Sequence, residues 1–356
     1  MSVVHHTHIS ATRQRWAFHP AMGFVGFANL LYPFLLNRFH ATVGVGSVGL
    51  SPMSIAVAAF WLATAFAVPV CCILCAIRLA SVPIKTAAQL KALRLSYIGV
   101  IAPTAYVFMG VLLYMAGAPL PDEAAWSLAW LILLAWAVLP AKADAAATAA
   151  TAGASSGLRV IHGIASTVVM IYVAFHLTNH LFGLVSPEYH AKVMAIGRSV
   201  YRASFVEPVL VAFMLFQIAT GLRLAWRWSG QQVDGFRVFQ VASGVYLSIF
   251  ILGHMNSVFF FARSFLGIDT GWGFATGAPT GLIHDPWNIR LVPHYWLAVF
   301  LVLSHLSSGL RIVLTAHGVN QTLVFRLWLA GLVAAAVVAT VILSAMCGLR
   351  LSDFTS

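Results

Sequence analysis

Nine stretches of this chain stay apolar over the ~20 residues that an α-helix needs to cross a ~30 Å hydrocarbon core. They fall at about 18–37, 53–77, 95–117, 124–140, 160–184, 204–226, 238–262, 293–315 and 323–346. The alternating pattern of barrel strands is absent, so the spans read as helices. Only 8% of the 356 residues are Asp, Glu, Lys or Arg, too few to coat a soluble exterior of that size. The expected fold is an all-α integral membrane protein of about nine transmembrane helices, a helical bundle with internal duplication.

The 20 basic residues outnumber the 9 acidic ones but are scattered between the apolar runs. They therefore read as a topology signal rather than a nucleic-acid patch, and no nucleic-acid partner is expected. The N-terminus and the even-numbered loops carry thirteen: Arg13, Arg15, Arg78, Lys85, Lys91, Arg94, Lys142, Arg159, Arg223, Arg227, Arg237, Arg311 and Arg326. The opposite side carries seven, namely Arg38, Lys192, Arg198, Arg202, Arg263, Arg290 and Arg350. An N-terminus in the cytoplasm and a C-terminus outside follow from the positive-inside rule.

Residues 1–17 hold His5, His6, His8, Arg13 and Arg15 and lack an apolar core followed by a small-residue cleavage site, so they read as a cytoplasmic tail with no removable signal. Residues 141–157, rich in Ala, Thr, Gly and Ser, read as a linker between a four-helix half, 18–140, and a five-helix half, 158–347, with 348–356 as a tail. The longest connection, 263–292, carries Trp272, His284, Asp285 and Trp287 and reads as an outward lid. Pro69 and Pro103 are expected to bend or break spans two and three. Cys71, Cys72, Cys75 and Cys347 lie in apolar runs and read as small hydrophobes, since an iron–sulfur cluster needs four thiolates in one pocket.

Internal repeats carry the functional argument. Arg159 is followed by His176 after 17 residues, and Arg237 by His254 after the same 17. Gln217-Ile-Ala-Thr-Gly221-Leu-Arg223 ends span six, and His305-Leu-Ser-Ser-Gly309-Leu-Arg311 ends span eight. Residues 159–227 and 237–315 thus read as a duplicated helical hairpin. A fainter repeat relates the halves: His19 precedes Arg94 by 75 residues, as His162 precedes Arg237. In that register Val111 falls at the place of His254, Cys72 near that of Gln217, and Trp136 near that of His305.

Ionisable groups at bilayer depth are costly and are read first as functional. At 1.5 Å per residue, His176 and His254 both lie ~25 Å along their helices from the arginines, hence at one height. Two imidazoles at one height on neighbouring helices are what a six-coordinate haem iron requires. His180, one turn beyond His176 on the same face, could be the ligand instead, or could bond a haem propionate or a quinone. His305 and Gln217 form a second matched pair ~9 Å from the arginine end. Gln is not an ordinary haem ligand, so a second haem there would lack half its axial coordination. His162 could stand in for it, and a core histidine bonded to Ser304 or Ser308 is the other reading of His305.

These residues resemble a family, the single-chain, five-helix, di-haem cytochrome b anchors of succinate dehydrogenases and fumarate reductases. The resemblance runs over about 158–347: Arg159 to His162, then His176-Leu-Thr-Asn; Gln240-Val-Ala-Ser-Gly244 leading to Gly253-His254-Met255; and the two Gly-Leu-Arg endings. It implies four axial positions, His176, Gln217, His254 and His305, with Gln217 departing from the pattern. It also implies haem b, quinone, soluble iron–sulfur and flavoprotein subunits, other membrane subunits, and a bacterial or mitochondrial inner membrane. The expected role is electron transfer or anchoring within a quinone oxidoreductase complex rather than catalysis by this chain itself. Quinone oxygens would meet His180, His294, Tyr295 and Trp296, and Glu207 would either carry a proton or face solvent. The competing readings are a haem-free structural or assembly subunit, or a transporter on a duplicated bundle. No dinucleotide fingerprint, Walker loop, His-Glu-x-x-His or Gly-x-Ser-x-Gly motif is present.

Overall fold

The computed structural model describes residues 18–44, 51–140 and 156–354. The histidine-rich tail and most of the 141–157 linker lie outside the described residues. In chain order the helices are α1 (Pro20–Val43), α2 (Pro52–Ala80), α3 (Ala87–Val100), α4 (Ala102–Met115), α5 (Asp122–Val138), α6 (Ser156–Leu181), α7 (Pro187–Tyr201) and α8 (Val206–Ser229). They continue as α9 (Gly235–Met255), α10 (Trp272–Ala275), α11 (Gly281–His284), α12 (Leu291–Ala316) and α13 (Gln321–Met346), and no strand occurs among the described residues.

Six of these, α2, α6, α8, α9, α12 and α13, are long and apolar enough to cross a membrane, and α3 with α4 makes a seventh if the pair counts as one span. The sequence reading had nine. Two of its stretches fall short for local reasons. α5 has 17 residues, about 26 Å at the helical rise. α1 is long enough, but Asn29, Asn37, Arg38 and His40 dilute its apolarity.

Local signals set the helix ends. Thr86 and Gln89 form a reciprocal capping box that starts α3 well before the apolar run begins. Pro103 sits in the first turn of α4, and the chain breaks at Ile101 with a 66° bend. Pro69, by contrast, lies inside a continuous α2. α9 runs on as a π-helical stretch, Asn256–Leu266, and stops at Gly267, whose φ of 65° is a left-handed conformation natural to glycine. The 263–292 connection is built of short helical turns, with Trp272, Leu282 and Ile289 buried.

In the second half, α6 packs on α8, α8 on α9, α9 on α12 and α12 on α13, and α13 returns to α6, closing a five-helix ring. The first half packs α1 on α2, α3 and α5, and sets α2, α3 and α4 against α9. α9 is thus shared: 39% of its apolar window is buried against 6% for α8, which faces outward. The halves are clamped at both ends. At the end holding Arg159 and Arg237, Lys85 Nζ donates to Gln231 O at 2.8 Å, and Arg94 stacks on Trp226 while donating to Ser229 Oγ. At the opposite end Arg290 pairs with Asp122 at 2.6 Å, and His40 Nε2 bonds His284 O at 3.1 Å.

Candidate functional site

The 17-residue spacing brings His176 of α6 and His254 of α9 together, with ring centroids 5.9 Å apart and planes at 68°. Each ring is backed by an aromatic one turn earlier on its own helix. Tyr172 stacks on His176 at 5.5 Å and Phe250 on His254 at 5.5 Å. Such i, i+4 neighbours fix a ring plane. Both imidazoles are walled in by protein yet only half-buried, so they border a cleft inside the helix ring.

His180 lies 4.7 Å from His176, but it turns its other side to His190 and Trp272, at 5.3 and 6.2 Å. Its Nδ1 is buried without a partner. His190, which sequence reasoning did not single out, is held by Asn179 at 3.2 Å and by the Trp272 ring at 4.6 Å. Burial first, and the Arg198 charge second, push its pKa down to about 4. His190 belongs to α7, which reads as a loop by hydropathy. The signal for that helix was present in Ser186-Pro187-Glu188, a cap, a first-turn proline and a first-turn acid, with Arg198 in the last turn. Gly183 lets the Trp272 indole approach the backbone here, because a Cβ on it would run into that ring.

His294 also joins the cluster. It is buried, lies 4.9 Å from Phe250 and 5.1 Å from Tyr295, and its carbonyl accepts from Tyr246. Trp296 does not join it. Its indole N–H donates to Thr340 Oγ1 at 3.0 Å, and its ring packs on Phe66 and Phe300. Among the described residues no three His, Cys, Asp or Glu side chains converge as a metal site.

Nearer the arginine end the second matched pair is differently arranged. Gln217 Nε2 donates to the His162 carbonyl at 2.9 Å, tying α8 to α6, and His162 Nδ1 bonds Thr220 Oγ1 at 2.7 Å. His305 Nδ1 bonds Ser243 Oγ on α9 at 2.9 Å, neither Ser304 nor Ser308. Gly244 admits this contact, since a Cβ there would lie 3.1 Å from His305 Cε1. Glu207, at the start of α8, pairs with Arg263 at 2.9 Å. The cysteines are all free, and Cys72 accepts from Asn29 at 3.5 Å.

The fold and site define a helical protein with membrane-length helices and a row of imidazoles in its second half. No family model, no curated protein and no solved structure matches this chain.

Proposed function

We propose that this chain is the haem b-bearing membrane subunit of a succinate dehydrogenase/fumarate reductase-like respiratory complex. It passes electrons between a soluble iron–sulfur partner and membrane quinone, and flavin chemistry belongs to a separate subunit. In this reading the two hairpins are duplicates, nine segments span an energy-transducing inner membrane, and the N-terminus lies inside.

One observation carries the proposal: two ring-backed imidazoles, 5.9 Å apart on α6 and α9, border a cleft in a five-helix ring. Two imidazoles that ligate one iron from opposite faces put their centroids roughly 6 Å apart, taking metal–nitrogen bonds of ~2 Å. The residues therefore fit the group. A bound haem would supply reversible one-electron chemistry. The chain's own side chains do the rest. His176 and His254 would hold the iron, Tyr172 and Phe250 fix the two ring planes, and Trp272 with His190 closes the cleft against water. His180 and His294 stand beside the pair as hydrogen-bonding groups for a quinone. At the second position Gln217 is occupied with the His162 carbonyl and His305 with Ser243, so one haem per chain is the expectation.

The test is a dithionite-reduced minus oxidised spectrum of the purified protein, with haem quantified. One haem b per chain, lost in His176→Ala and in His254→Ala, is the expected result. A folded preparation from haem-replete cells that contains no haem would overturn the proposal and favour a structural or assembly subunit.

A further inference from the structure

Three arginines from two elements gather near Tyr172, the ring that stacks on His176. Arg198 is in the last turn of α7 and Arg202 follows that helix, while Arg263 is on the π-helical extension of α9. Arg198 Nη2 donates to both the carbonyl and Oγ1 of Thr270 at 3.2 Å, and Arg202 Nη2 to Thr270 Oγ1 at 2.9 Å. Arg263 Nη1 pairs with Glu207.

The C-terminal carbonyls of α7 offer these cations only a partial negative charge. Three guanidiniums against the one carboxylate of Glu207 leave a net +2. Asp269, one residue before Thr270, is exposed and pairs with none of them among the described residues. Burial, then Arg198 and Arg263, push the pKa of Arg202 down, as like charges crowded together must.

Hydrogen bonding is incomplete as well. The Nε atoms of all three are buried without an acceptor, and they are the only arginine atoms so stranded among the described residues. The second Nη of each makes no hydrogen bond among the described residues, leaving a set of accessible donors. Two missing negative charges and several missing acceptors describe a ligand with two carboxylates.

Its place follows from Tyr172. That side chain stacks on His176 and lies within electrostatic reach of Arg202, Arg263 and Glu207. Tyr172 thus touches one imidazole of the pair and lies within electrostatic reach of two of the arginines.

We propose that Arg198, Arg202 and Arg263 form an oxyanion cradle for the two carboxylates of the macrocycle held between His176 and His254. This rests on the haem reading above. A membrane phospholipid could supply an oxyanion too, but one phosphate diester brings a single negative charge and would leave the cradle half-neutralised.

The full-length protein purified in detergent tests this, with haem per chain, midpoint potential and phospholipid phosphorus measured on the wild type, Arg202→Gln, Arg202→Lys and Arg198→Gln. A cation near the iron favours the less positive, reduced form. Arg202→Gln should therefore move the oxidised-to-reduced ratio about tenfold toward oxidised at fixed potential, lowering the midpoint by about 59 mV for one electron. Arg202→Lys should restore most of that, and phosphorus should not change. If Arg202→Gln fails to fold, Arg198→Gln gives the same reading. Unchanged haem content and midpoint in the variants, with loss of about one phosphorus per chain, would overturn the cradle and assign the arginines to lipid. A wild type without haem would overturn the parent reading and the cradle together, and the wild type alone reveals that case.

Discussion

Between α1, α4 and α5 the space is filled by packed rings: Tyr32 on Tyr106 at 6.1 Å, Tyr106 on Trp126 at 5.4 Å, and Trp126 near Trp130 at 6.0 Å. In the α6–α13 ring His176 and His254, and nearer the arginine end His305, are all only half-buried. The glycines are mixed. A Cβ on Gly99 would lie 2.5 Å from Cys72 Sγ and one on Gly110 2.8 Å from Asp122 Oδ2; in the ring Gly331 is as crowded, 2.5 Å from Ser307 Oγ, whereas exposed Gly163 and half-buried Gly309 have nothing within 4 Å. Equally apolar helices have thus made one half a filled core and the other a lined cleft. Side chains decide which: large rings close the gap between helices, and imidazoles beside small residues leave it open.

That contrast can be broken most severely at its seam. Arg290 and Asp122 join the halves with side chains only 8% and 17% exposed. Arg290→Ala strands the carboxylate and should cost about 3–5 kcal/mol, read as a lower unfolding midpoint in detergent. A midpoint equal to that of the wild type would mean that the halves are not coupled there. Next in size, Gly99→Ala should destabilise by about 1–3 kcal/mol through overpacking against Cys72 and Asn29. Gly163→Ala and Gly309→Ala should be silent in the same assay. Equal effects at all three positions would mean that contact with Cys72 and Asn29 does not set the cost at Gly99.

A smaller effect is expected at Ser243→Ala, which removes the hydrogen bond to His305 and should cost about 1 kcal/mol. Ser304→Ala should cost less, because Ser304 does not partner the imidazole. The smallest is a slope. Folding holds the pKa of His190 at about 4, below the ~6.5 of an unfolded histidine. The unfolded chain therefore binds more protons between these values, and stability should fall as pH drops from about 6.5 toward 4. Thermal midpoints across that window should flatten in His190→Gln, and an unaltered slope would assign the effect to other groups.

Much of this was legible in the chain. Apolar runs set the membrane-length helices, because a helix satisfies its backbone internally and its side chains need only suit the surroundings. The 17-residue interval from arginine to histidine put two imidazoles at one height, since the helical rise is fixed. α7 was less legible: its amphipathic residues look like loop to a hydropathy count, and only the Ser186-Pro187-Glu188 start marks it. Nor could spacing find the short helical turns from which Trp272 packs against His180 and His190.

Distance along a helix, then, was determined by the sequence alone, because each helix is local and its geometry does not depend on its neighbours. Direction around the helix axis and choice of partner were decided by the tertiary structure. Those choices brought Arg198, Arg202 and Arg263 together from elements up to 65 residues apart, gave His305 to Ser243 and turned Trp296 to Thr340. Each depends on how whole helices rotate to fill shared volume, and no interval read along one of them contains that information.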